Sequence, residues 1–181
     1  MPANDDLALL TDAARAAGEI ALSYWRKRPD AWEKPGGAGP VTEADLAVNA
    51  MLHAELGAAR PDYGWLSEET PDDSVRLGRG RSFIVDPIDG TRAFIEGDES
   101  FAHSLAVAEA GRITAAVVYL PARDALYAAA ETGEATLNGR PLRASGRRWR
   151  LIGCPRAHDQ RARPTFRPGE EHAPPLRPDR P

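Results

Sequence analysis

The apolar residues of this chain change their spacing once, near Pro61, and that change limits the folds open to it. Across residues 5–26, Leu7, Leu10, Ala13, Ala14, Ala17, Ile20, Ala21, Tyr24 and Trp25 recur mostly three or four positions apart, which builds one apolar face of a helix. Asp5 and Asp6 open the segment and Arg26, Lys27 and Arg28 close it, charges that suit both ends of the helix dipole, and Pro29 ends it. Thr42-Glu43-Ala44-Asp45 announces a second helix, with Thr42 placed as N-cap and an acidic residue three positions on, as in a capping box. Ala44, Ala47, Val48, Met51, Leu52 and Leu56 supply its buried face. Between the helices, residues 33–40 hold three glycines and two prolines and are expected to form a mobile loop.

Beyond Pro61 the period falls to two. Residues 63–67 and 82–86 read as short strands with carboxylates at their ends, and 101–109, 112–120 and 125–130 as a meander separated by short turns. Leu137-Asn138-Gly139-Arg140 is a hairpin-turn signal. Helices first and hairpin-linked strands after predict an α+β fold, in which two N-terminal helices pack on a mainly antiparallel β-sheet.

The formal charge of −4 is the sum of two unlike parts. Residues 147–181 hold nine arginines against four acidic residues and seven of the 16 prolines, whereas the preceding 146 residues carry a formal −9. Prolines so spaced interrupt helices and central strands, so 1–146 is expected to be a folded body and 147–181 an Arg/Pro-rich, poorly packed tail. The overall acidity argues against nucleic-acid polymers as partners. No apolar run approaches the roughly 20 residues of a membrane span, and no signal-peptide pattern opens the chain. The single cysteine, Cys154, cannot form an internal disulfide, which fits a reducing cytoplasm.

The chemistry gathers at two strand ends: Glu68-Glu69, and Asp86-Pro87-Ile88-Asp89-Gly90-Thr91. Converging carboxylates repel one another unless a positive charge lies between them, and hard oxygen donors of this kind suit Mg²⁺. Pro87 is expected to fix a turn that aims the Asp86 and Asp89 carboxylates and the Ile88 carbonyl to one side. Gly90-Thr91 reads as the start of a short helix whose free N–H groups favour an anion such as phosphate. Taken alone, a glutamate pair is usually a solvated surface and Asp-Gly a turn. Together, in this order and after an aliphatic strand, they point to metal-assisted phosphate-ester chemistry. His53, His103, His158 and His172 show no metal-ligand spacing, Cys154 lacks the setting of a nucleophile, and Trp25, Trp32 and Trp65 are expected to be packing residues.

On Asp45, Glu68-Glu69 and Asp86-Pro-Ile-Asp-Gly-Thr91, in that order and spacing, the chain resembles the inositol monophosphatase-like family of Mg²⁺-dependent, lithium-sensitive phosphatases over about residues 5–146. The resemblance implies that Glu68, Asp86, the Ile88 carbonyl and Asp89 bind metal, with Glu69 beside them holding a further metal through water. It implies that Asp45 and Thr91 form a hydrogen-bonded pair, that Thr91 with Glu68 orients and activates the attacking water, and that Gly90 and Thr91 bind the phosphate of a small phosphorylated substrate. Lys34 matches a loop that closes near the metals. Thr91-Arg92-Ala93-Phe94-Ile95 leans towards the 3′(2′),5′-bisphosphate nucleotidase branch, with inositol and histidinol phosphates as the other substrate classes.

The family's downstream Trp-Asp…Ala-Gly motif has no counterpart here. The C-terminal α/β lobe is therefore expected to be absent, through truncation or a frameshift, with reduced or no activity and an apolar face that a second copy could cover as a homodimer. Two other readings stand beside the phosphatase: a non-catalytic fragment that binds metal or a partner, and a haloacid-dehalogenase-type phosphatase. The latter needs one residue between its aspartates where this chain has Pro87 and Ile88.

Overall fold

The computed structural model describes residues 3–37 and 39–143; the Arg/Pro-rich segment 147–181, with Cys154, His158 and His172, lies outside the described residues. The first apolar face forms helix α1 (Ala3–Tyr24), whose Leu10, Ala13, Ala14, Ala17 and Ala21 are buried. It ends before the basic triad, not after it. Arg26 has φ 60° and Arg28 φ 55°, so these residues lie in the turn beyond the helix, where Arg26 stacks on the Trp25 ring at 3.9 Å and donates to the Gly97 carbonyl.

The expected loop at 33–40 connects the two strands of a small antiparallel hairpin, β1 (Ala31–Glu33) and β2 (Pro40–Thr42), and is closed by a bond of 2.9 Å from Lys34 N–H to the Gly39 carbonyl. Pro40 is tolerated because it sits at the first position of its strand. Trp32, expected to be packed, is 44% exposed on β1, all of whose residues face solvent. Helix α2 (Glu43–Ala59) follows, with the capping box in place and Ala44, Asp45, Val48, Leu52 and Leu56 buried.

The period-two segments become β3 (Gly64–Ser67), β4 (Arg81–Asp89), β5 (Ala102–Glu109), β6 (Arg112–Leu120), β7 (Ala125–Ala130), β8 (Thr136–Leu137) and β9 (Arg140–Pro141), joined in that order in one seven-stranded sheet. Only the β3–β4 pair is parallel, with α2 preceding it and the short helix α3 (Thr91–Glu96) following β4. Alternate residues Phe83 and Val85, His103, Leu105 and Val107, and Ala115, Val117 and Tyr119 are buried in the core with α1 and α2. At Gly18 a Cβ would lie 2.6 Å from Tyr119 Cε1, so only glycine lets α1 seat this closely on β6. Ile84, Val118 and Tyr127, from the intervening positions, are about 40% exposed.

Pro87 does not make a turn. β4 continues through it, and the register against β5 jumps from Asp86↔Ser104 to Asp89↔Ala102, so Pro87 and Ile88 stand opposite His103 alone. This is a β-bulge, which bends a strand and redirects its side chains without ending it.

Candidate active site

Two adjacent strand ends and the start of α2 build the site. Glu68 N–H bonds the Val85 carbonyl at 3.1 Å, carrying the β3–β4 pairing one step past Ser67 and setting Glu68 beside β4. The turn that follows is pinned from α2. Ser67 Oγ donates to Asn49 Oδ1 (2.7 Å), Asn49 Nδ2 donates to Thr70 Oγ1 (2.9 Å), and Glu69 N–H reaches Ser67 Oγ (3.3 Å). Sequence reasoning missed Asn49, because a polar residue on a helix carries no sign that it faces a strand end.

Lys34, carried by the β1–β2 hairpin, places Nζ 2.7 Å from Glu68 Oε1 and 2.7 Å from Glu69 Oε1. Its side chain is largely buried, as is that of Glu69. Burial pushes the Glu69 carboxyl up from its ordinary range, opposed by the Lys34 ammonium. Lys34 therefore supplies positive charge between the two glutamates.

Asp86, on the bulged strand, has its carboxyl pushed up to about 7, first by burial and then by the charges of Glu68 and Asp89, hydrogen bonding with Glu68, and the charge of Asp45. Its Oδ1 is buried with no hydrogen-bond partner. Asp89 itself is exposed. Asp86 thus feels the charges of Glu68, Asp89 and Asp45, while the ammonium of Lys34 is bonded to Glu68 and Glu69. Among the described residues, no three His, Cys, Asp or Glu side chains already stand as a metal cage. Glu68 and Glu69 are both turned to Lys34, and a backbone carbonyl or water would complete any ligand set.

Asp45 is held from both sides. One oxygen, Oδ2, accepts from Thr42 N–H at 2.9 Å and Thr42 Oγ1 at 2.5 Å, while the other, Oδ1, lies 3.3 Å from Thr91 Oγ1. Burial raises the Asp45 carboxyl above its usual range against these bonds. The Asp45–Thr91 pair is therefore present. Thr91 Oγ1 is also 3.1 Å from the Ile88 carbonyl, and its one proton serves one acceptor at a time. Gly90, at φ 89°, caps α3 in the left-handed region, and a Cβ there would come within 2.9 Å of the Ser100 carbonyl. The backbone can turn this sharply only at glycine.

The profile of the inositol monophosphatase family matches residues 4–164. The chain belongs to that family. It is 41% identical over 121 residues to an inositol-1-monophosphatase of Mesorhizobium japonicum, a match covering 65% of this chain and 45% of the relative. It is 39% identical over 145 residues to a 3′-phosphoadenosine 5′-phosphate phosphatase of Mycobacterium leprae, covering 71% and 52%. Among solved family structures, the extragenic suppressor protein suhB of Bartonella henselae superposes with a TM-score of 0.74 at 34% identity, over 80% of this chain and 56% of that one. The chain spans about half the length of the relatives it matches. Relatives in the inositol monophosphatase family are named as phosphatases of small phosphate esters. No helix among the described residues is long and apolar enough to cross a membrane.

Proposed function

We propose that this chain carries the catalytic carboxylates of a Mg²⁺-dependent phosphomonoesterase. The observation behind it is the buried, unpartnered Asp86 Oδ1 inside a cluster of mutually repelling carboxylates. A divalent cation fits such a donor set, and Glu68, Asp86, the Ile88 carbonyl and Asp89 would hold it, with Glu69 acting through water. When bound, Mg²⁺ lowers the pKa of a water and neutralises the transferring phosphoryl group.

The chain's own residues do the rest. Thr91 Oγ1, with its proton directed to Asp45 or to the Ile88 carbonyl, keeps lone pairs free to accept from a water. Asp45, fixed by Thr42, holds that orientation, and Glu68 takes the water's second hydrogen bond. The N–H groups at Gly90 and Thr91 face the substrate phosphate. Arg92, exposed next to Thr91, supplies positive charge for a second phosphate, which favours a 3′(2′),5′-bisphosphate nucleotide over inositol phosphate.

Phosphate release from 3′-phosphoadenosine 5′-phosphate and from inositol 1-phosphate tests the reading. It should require Mg²⁺, be inhibited by Li⁺, favour the nucleotide and vanish in Asp89→Asn. Release that ignores Mg²⁺ or survives Asp89→Asn would overturn it. Mg²⁺ binding without release would reduce the chain to a metal-binding unit, and a trapped phospho-aspartate would move it to the haloacid-dehalogenase mechanism.

A further inference from the structure

His103 is fully buried on β5, opposite the Pro87–Ile88 bulge. Its Nδ1 hydrogen-bonds the Pro87 carbonyl, while Nε2 is buried with no partner. A carbonyl oxygen only accepts, so Nδ1 carries the proton; burial keeps the imidazole neutral, so Nε2 is a bare lone pair. Leaving a buried acceptor unsatisfied is costly, and an aliphatic residue would fill this core position without that cost. What the histidine offers in return is a rigid donor aimed at one backbone oxygen.

That oxygen lies inside the segment that carries the metal-binding groups. Asp86 precedes Pro87, and the Ile88 carbonyl and Asp89 follow it. Where the bulge breaks the regular register, the two carbonyls of Pro87 and Ile88 are taken by side chains: the first by His103 from the core, the second by Thr91 Oγ1 at 3.1 Å from the site. Turning the Pro87–Ile88 peptide would change the aim of the next carbonyl and of the Asp86 and Asp89 side chains together. Bulges beside active sites commonly re-aim side chains in this manner, and groups that orient metal ligands govern affinity about 10–100-fold.

We infer that His103 is a positioning residue, which fixes the bulge through the Pro87 carbonyl and so presents Asp86, the Ile88 carbonyl and Asp89 to a divalent cation. This rests on the metal reading given above. Asn at this position places its amide N–H where Nδ1 stands, whereas Leu fills the space and donates nothing.

Mn²⁺ binding, followed by electron paramagnetic resonance of the free ion, separates the possibilities when paired with urea unfolding of each variant. His103→Leu should bind Mn²⁺ about 10–100-fold more weakly than the native chain. His103→Asn should stay within a few-fold of native affinity even though it leaves a cavity and unfolds more easily. Affinities that follow stability instead, with His103→Asn the weaker binder, would overturn the inference, as would equal affinity in all three chains. Absence of Mn²⁺ binding by the native chain would overturn the metal reading itself and this inference with it. Should His103→Leu fail to fold, the native tautomer decides: ¹⁵N NMR showing the proton on Nδ1 supports the brace, and a proton on Nε2 refutes it.

Discussion

Asp6 is the most heavily tied carboxylate among the described residues outside the site, and its removal tests how this fold is held together. It is fully buried in the first turn of α1. Arg60 Nε donates to Oδ1 at 3.0 Å, and Tyr63 Oη and Arg81 Nη1 donate to Oδ2 at 3.0 and 3.2 Å. These donors come from the end of α2, the turn before β3 and the first residue of β4, so one carboxylate joins four parts of the chain. Arg81 also reaches Glu109 on β5 at 2.9 Å. Removing one partner of a buried ion pair costs about 3–5 kcal/mol. Here Asp6→Ala leaves Arg81 its bond to Glu109, and the Arg60 and Arg81 side chains are 16% and 19% exposed, so water relieves part of the loss. The lower end, about 3 kcal/mol, is expected. In the compact unit Met1–Ala144, that corresponds to a fall in Tm of roughly 10–15 °C. Urea titration and thermal melting by circular dichroism measure both quantities. Asp72→Ala, which breaks the exposed pair with Arg76, serves as the control and should leave the transition in place. A loss below about 1 kcal/mol for Asp6→Ala would refute the reasoning, because the carboxylate would then be no better placed than a surface ion pair.

Gly90→Ala combines a left-handed φ of 89° with a Cβ 2.9 Å from a backbone oxygen, and should cost at least about 2 kcal/mol in urea unfolding. Lys34→Ala removes the ammonium from between Glu68 and Glu69, so Mg²⁺ should bind more tightly, on the order of tenfold by calorimetry, since the cation no longer competes with a fixed positive charge. The buried His103 imidazole, lowered to about 4 by burial against the opposing bond to the Pro87 carbonyl, predicts a pH dependence. Between about pH 6.5 and 4 the unfolded chain binds a proton that the native one excludes, so stability is full above 6.5 and falls as pH drops, by about 3 kcal/mol in all. Comparing native and His103→Leu unfolding from pH 7.5 to 4 isolates that contribution; parallel profiles would contradict it.

Much of the architecture was legible because it is written in local spacing. The face of α1, the Thr42 cap, the meander strands and the turn at Asn138-Gly139, with φ values of 49° and 75°, each depend on neighbours a few positions away. Long-range charge compensation was not. Asp6 reads as an acidic residue suited to a helix start, yet its partners Arg60 and Arg81 lie 54 and 75 residues on. Lys34 reads as one lysine among glycines, and reaches Glu68 and Glu69 only because the β1–β2 hairpin brings it over the strand ends.

The motif around Pro87 lies between these cases. Its residue types name the chemistry, because carboxylates, a carbonyl and a glycine at this spacing suit a cation and a phosphate whatever the backbone does between them. The proline, however, suggests a turn, and β4 runs straight through it. The reason is that proline lacks only an N–H; where the register against β5 is already broken, a missing donor disturbs no regular ladder. Whether a proline turns a chain or sits in a bulge depends on the partner strand, and here the partner brings His103 to the carbonyl that Pro87 still offers. The aim of the carboxylates is therefore set from β5, at a residue whose sequence setting gave no sign of a functional role.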